Sequence, residues 1–188
     1  MSNTLWYAIG GVAVFVLYII GVFNGLISRR NQAREAWATI ETQLKRRHDL
    51  IPNLIATVRG AAAHEKSTLD SVVRARNAAV GSHDAGEASA LENNLTGALR
   101  QIFALSESYP ALRANENFLE LQRELADTEN KIQASRQFYN TVVMALNTAV
   151  EQFPSNAVAG LFGVGKEKLF ELDESERAAV QKAPKVGF

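Results

Sequence analysis

The sequence predicts an all-α protein: an N-terminal transmembrane helix followed by an elongated up-and-down antiparallel helical bundle. Three long helices and a shorter fourth segment are expected in that bundle. Three observations carry the prediction. Leu5 to Ile27 contains no charged side chain. Trp37, Ile40, Leu44, Ile51, Leu54, Val58 and Ala61 then recur three and four residues apart, with Arg47 at the one interrupted step. That is the spacing of a helical seam of heptad type. A second seam runs from Phe118 to Phe153 with the same alternation, and it is the partner the first requires.

The chain divides accordingly. Residues 1–4 are expected as a short extracytoplasmic N-terminus, 5–27 as the span, 28–156 as the bundle, and 157–188 as a tail that docks on it. At ~1.5 Å per residue the uncharged run reaches roughly 35 Å, enough to cross a hydrocarbon core of about 30 Å. Trp6 and Tyr7 mark one end, where amphipathic rings favour the interface. A cleaved signal peptide fits less well, because no basic residue precedes the run and no small-residue cleavage site follows it. Arg29, Arg30 and Arg34 come directly after the span, which predicts a single-pass protein of the cell membrane with the bundle in the cytoplasm and the N-terminus outside.

From Asn31 the helical pattern continues with no Gly or Pro break, so the span is expected to run straight into the first bundle helix. Pro52 interrupts that helix. A proline there removes one backbone hydrogen bond and crowds the preceding turn, at a cost of about 3 kcal/mol in a helix interior. Either Asp49 caps a new helix or one helix kinks at Pro52; the seam keeps its register across the proline, which favours the kink. Continuation through Leu69, Val72 and Ala79 to Val80 would make the element very long, with Gly60 its weakest interior point.

Gly81 to Gly86 reads as a turn. A shorter helix follows, with Leu91, Leu95, Ala98, Leu99, Ile102 and Leu105 on one face, and Ser108-Tyr109-Pro110 ends it. Asn115 is placed to cap the last long helix, which Pro154-Ser155-Asn156 closes. Beyond Ala157, glycines alternate with Val158, Leu161, Phe162 and Val164. A short amphipathic helix, a turn, a second helical segment and an extended end docking Val186 and Phe188 are expected.

Composition excludes several function classes. Lys plus Arg and Asp plus Glu both number 20, a net charge of +0, so nucleic acid is not an expected partner. There is no cysteine, hence no disulfide and no thiolate metal site. His48, His64 and His83 lack metal-ligand spacing and read as surface or capping residues. Gly160 to Lys166 has the spacing of a phosphate loop. Glu167 nevertheless stands where a magnesium-binding hydroxyl is needed, and a helix rather than a strand precedes the loop. No catalytic residue, cofactor or metal is assigned.

The candidate structural or interaction residues are Trp37, Arg46, Arg47, His48, Pro52 and Phe162. Lys45-Arg46-Arg47-His48 reads either as an anion site or as a solvated face partly paired with Glu41 and Asp49. Arg47 differs because it falls on the seam, where an arginine needs a carboxylate from a facing helix. Glu116, Glu120, Glu124, Asp127 and Glu129 are the candidates.

Glu35-Ala36-Trp37, the run from Gln43 to Leu54, and Ala62-Ala63-His64-Glu65-Lys66 together resemble the LemA family of bacterial membrane proteins. Tyr109-Pro110, Ala114 to Phe118, Asp127-Thr128-Glu129-Asn130 and Gln152 to Gly163 extend the resemblance, which closes at Pro184-Lys185-Val186. It implies a single-pass protein with an up-and-down bundle and no established enzymatic activity. The function expected is a non-enzymatic membrane-anchored scaffold that self-associates, with the bilayer and further copies as partners. Self-association is argued from a first helix that would outrun the short second one and leave apolar surface uncovered. The alternative is an adaptor for another membrane protein, using the basic cluster or Phe162.

Overall fold

The computed structural model describes residues 2–62, 64–82 and 85–170. They form six helices in the order α1 (Ser2–Ala61), α2 (Lys66–Val80), α3 (Ala85–Ser108), α4 (Pro110–Arg113), α5 (Glu116–Glu151) and α6 (Ser155–Phe162). Among the described residues there is no strand, and the chain is all-α.

Two compact units divide the fold. The first joins Met1–Ala38 to Phe138–Lys168, and the second joins Thr39–Gln137 to the chain from Leu169 onward.

In the first unit, α1 presents its uncharged run with every large apolar side chain from Leu5 to Ile20 exposed except the partly covered Ile19. Such a helix is apolar on all faces and leaves them without protein cover, as a lipid-facing segment does. Leu26, Ala33 and Ala36 are buried further along, with Tyr139, Val143, Leu146 and Ala149 of α5. The Trp37 ring lies against Tyr139, with centroids 5.6 Å apart. After α6, Gly163 takes the left-handed conformation at φ 66°, and the Val164 N–H reaches back to the Ala159 carbonyl at 2.9 Å. This is a Schellman-type helix end, which glycine allows without steric cost. The phosphate-loop spacing is therefore a helix terminus and a turn. Residues 164–170 are not helical, so no second helical segment starts there. The expected docking of Val186 and Phe188 lies outside the described residues.

In the second unit a continuous core gathers Ile51, Leu54 and Val58 of α1 with Leu69 and Val72 of α2. Leu95, Leu99 and Ile102 of α3, Leu112 of α4, and Phe118 and Leu125 of α5 complete it. Each such side chain contributes about 1.5–3 kcal/mol when fully removed from water. Asn115 caps α5 as expected, its Oδ1 accepting from the Phe118 N–H at 3.1 Å.

The first helix follows the favoured single-helix alternative at Pro52 and departs from expectation further on. It neither ends at Pro52 nor restarts with Asp49 as a cap; α1 continues through Pro52 to Ala61. It also does not run on to Val80. The chain turns between Ala62 and Glu65, where the Glu65 N–H bonds the Ala62 carbonyl at 3.1 Å, and α2 begins at Lys66. The turn directly follows Gly60 and Ala61, and Tyr109 joins it, its hydroxyl donating to Glu65 Oε1 at 2.8 Å. With α2 and α3 packed on each other, the long unpaired overhang that suggested self-association is absent.

Candidate functional site

Arg47 and His48 sit one turn before Pro52 on α1, and both are buried, at 3% and 7% exposure. A buried guanidinium costs several kcal/mol in desolvation unless carboxylates and hydrogen bonds surround it. Both kinds of partner are present. Arg47 Nη1 lies 3.0 Å from Glu129 Oε2 on α5 and 3.5 Å from Glu92 Oε2 on α3. Its Nη2 donates to Thr96 Oγ1 at 2.6 Å, and the Thr96 hydroxyl in turn donates to the Glu92 carbonyl at 3.0 Å. His48 Nε2 meets the other Glu92 oxygen, Oε1, at 2.6 Å. Glu92 thus holds two consecutive α1 side chains with one carboxylate.

The proline completes the arrangement. Pro52 has no N–H, so the His48 carbonyl four residues earlier loses its helical donor. Arg76 of α2 supplies the replacement, its Nε donating to that carbonyl at 3.0 Å. One turn of α1 is thereby tied to α2 by Arg76, to α3 by Glu92 and Thr96, and to α5 by Glu129.

The outer basic residues are also neutralised. Lys45 Nζ lies 2.8 Å from Asp49 Oδ2, and Arg46 Nη1 lies 4.0 Å from Asp127 Oδ2. Lys131 shares Asp127 at 2.8 Å. The hydrogen bond from Lys45 holds the Asp49 carboxyl below the usual value, and the bond from Lys131 does the same for Asp127. Within the Lys45-Arg46-Arg47-His48 run, Arg47 and His48 are buried on carboxylates, while Lys45 and Arg46 stay exposed beside Asp49 and Asp127.

Two sequence readings need correction. His48 does not reach solvent; it is inside, on Glu92. Arg47 does find a carboxylate on α5, and Glu129 was among the candidates, but its second partner Glu92 was not. The signal for Glu92 was present: Ala85, Ala88, Glu92, Leu95, Leu99 and Ile102 are spaced three and four apart and are all buried. Glu92 breaks its seam just as Arg47 breaks that of α1. His64 lies exposed at the turn before α2, and His83 is outside the described residues.

A cavity of about 220 Å³ beside the cluster is lined by Arg47, Thr96, Leu99, Arg100, Gln122 and Glu129, among others. It holds no serine, cysteine or histidine nucleophile. Among the described residues, no group of three or more His, Asp or Glu is arranged to hold a metal ion. What the geometry can do is join helices through buried charge.

The remaining candidates lie elsewhere. Trp37 is half-buried against Tyr139, whose hydroxyl donates to the Lys168 carbonyl at 2.9 Å. Asn147 bonds both the N–H and the carbonyl of Glu167 at 2.9 Å each, fastening the segment after α6 to α5. Lys166 pairs with Glu151 across the same connection. Phe162 is half-exposed and stacks on Phe23 of α1, with centroids 4.6 Å apart. In the second unit, Phe170 is fully buried with the Arg136 guanidinium 4.5 Å above its ring, a cation–π contact that no sequence pattern pointed to.

Comparison with known proteins places these features. The family model described as the LemA family matches residues 36–188. A relative named Protein LemA, from Metamycoplasma hominis, is 25% identical over 174 residues, covering 90% of this chain and 78% of its own length. Magnetosome protein MamQ of Magnetospirillum gryphiswaldense is 21% identical over 185 residues, covering 85% of this chain and 68% of the relative. Magnetosome protein MamQ 2 of Paramagnetospirillum magneticum is 20% identical over 186 residues, with the same coverage of 85% and 68%.

Proposed function

The chain belongs to the LemA family, and from that premise we propose that it is a non-enzymatic, single-pass membrane-anchored helical scaffold that self-associates. The observation that carries this reading is α1 itself. From Leu5 to Ile20 it carries no charged and no buried side chain, and the same helix supplies the seam of the bundle. Water is a poor solvent for such a surface, and lipid is a good one.

The arginines after the span set the orientation, with the N-terminus outside and the bundle in the cytoplasm. Likeness to two proteins named for the magnetosome supports a membrane-associated role. The buried Arg47–Glu92–Glu129 cluster supports a structural role over a catalytic one, because its charges are spent on one another. Phe138 and Met144 on α5 are 61% and 59% exposed, and they offer apolar surface for contact between copies. The adaptor alternative keeps Phe162 and the exposed Lys45 and Arg46 but loses Arg47 and His48, which are buried on carboxylates.

Fractionation tests the anchor. The full-length chain should remain with membranes in alkaline carbonate, and a variant lacking residues 2–28 should not. A reporter fused to the C-terminus should be active only in the cytoplasm. Release of the full chain by carbonate, or a reporter active outside, contradicts the placement.

A further inference from the structure

We infer that the segment from Phe153 to Phe162 is a second membrane-contacting element, immersed in the bilayer beside the α1 span and facing lipid. The inference rests on the proposed anchor and adds a site to it.

Depth is the first argument. Phe162 stacks on Phe23 with centroids 4.6 Å apart, and Phe23 lies inside the uncharged run of α1, before Arg29. At ~1.5 Å per residue the Phe23 level is roughly 9 Å to the membrane side of Arg29. A ring in contact with Phe23 shares that level. If the span is in lipid, α6 cannot be wholly in water.

Composition is the second. From Gln152 to Gly165 the chain carries no charged side chain, and Glu151 and Lys166 pair with each other at the two ends of that stretch. Within it, Phe153 is 82% exposed and Leu161 is 75% exposed. A phenylalanine left bare in the turn before α6 and a leucine left bare on it are costly in water and favourable at the headgroup–acyl boundary. Val158 and Ala159 face inward, so α6 has one side for protein and one for lipid.

An unfilled groove is the third. Tyr18, Gly21 and Gly25 of the span, with Arg29 at its end, face Gln152 and Phe153 across an open space of about 570 Å³ whose walls are part polar and part apolar. A Cβ added at Gly21 or Gly25 would meet nothing within 4 Å. Two bare glycines opposite an exposed phenylalanine leave room for an acyl chain on the apolar side of that space, with Arg29 at its polar end.

The natural chain has no cysteine, so single nitroxide labels can be placed without further substitution. Full-length variants Phe153→Cys and Leu161→Cys are labelled and reconstituted in phosphatidylcholine–phosphatidylglycerol vesicles, with Val12→Cys reporting the span and Ala126→Cys the bundle. Accessibility to oxygen is compared with accessibility to a water-soluble nickel chelate. The expected result is an oxygen-to-nickel ratio at residues 153 and 161 several-fold above that at 126 and approaching that at 12. A lipid-like ratio at 12 with a water-like ratio at 153 and 161 overturns this inference and leaves the anchor standing. A water-like ratio at all four removes the anchor as well. Labels at 153 and 161 shielded from both reagents mean that protein, such as a second copy, covers the surface, and this too overturns the inference.

Discussion

Arg76 Nε donates to the carbonyl of His48 at 3.0 Å, and that carbonyl is the one Pro52 deprives of its helical partner. The relationship explains how α1 carries a proline in its interior. The donor lost from residue 52 is returned by a guanidinium from α2. Removing it should leave a part-buried carbonyl unsatisfied, at about 1–3 kcal/mol. Arg76→Ala should lower stability by that amount in denaturant unfolding of the detergent-solubilised protein. In a Pro52→Ala background the helix supplies its own N–H, and the effect of Arg76→Ala should shrink to less than half. Equal losses in both backgrounds would mean that the two residues are uncoupled.

Arg47→Leu removes the cation between Glu92 and Glu129. Breaking a buried pair on one side costs about 3–5 kcal/mol, and here Glu92 would stay buried with only His48 against it. Glu129 is partly exposed and can turn to water, whereas Glu92 cannot, with its side chain only 5% exposed. The double variant Arg47→Met with Glu92→Met should therefore recover more than half of the loss. Stability of Arg47→Leu equal to that of the parent would show that the seam arginine is not structural and would reopen a functional role for it.

Much of this was legible in the order of the residues, and the limits are physical. The two seams follow from three–four spacing, and they locate the buried faces of α1 and α5. The same rule requires a carboxylate for Arg47 and includes Glu129 among the choices. The α3 stripe of Leu91, Leu95, Ala98, Leu99, Ile102 and Leu105 contains the buried Leu95, Leu99 and Ile102, but a stripe drawn from apolar residues alone passes over Glu92. His48 inherits its burial from Glu92 and was misjudged with it. The end of α1 at Ala61 comes one residue after Gly60, the weak point marked in the sequence, but the turn that follows carries no Gly or Pro between Ala62 and Glu65. Tyr109 fastens that turn from outside through Glu65, and distant contacts of that kind are not written in periodicity. Phe170 on Arg136 is hidden for the same reason.

The Tyr109 contact should respond to alkali. Donation to Glu65 pushes the hydroxyl above its ordinary 10.0, so the protonated form is favoured in the folded state. A raised folded pKa gives stability that is complete below the unfolded value and is lost as pH rises through the folded one. Subtracting the Tyr109→Phe melting profile from that of the parent should leave a positive difference at neutral pH that disappears above pH 10. A difference independent of pH would contradict the assigned bond.

Asp127 should show the opposite arm. The hydrogen bond from Lys131, with the charges of Lys131 and Arg46, holds its carboxyl below 3.8. Its contribution is present above that value and is lost as pH falls through the lower folded pKa. Asp127→Asn should flatten the acid side of the stability profile and leave the neutral-to-alkaline side unchanged in shape. An acid limb as steep as that of the parent would count against the pairing.

Self-association of the anchored chain is tested most directly by the mass of the full-length protein in detergent, measured by sedimentation across a wide range of protein concentration. A scaffold built from copies of this chain should give a protein mass that is a multiple of the 20.6 kDa protomer and that holds or grows with concentration. A single protomer mass at every concentration, in each detergent tried, would contradict it.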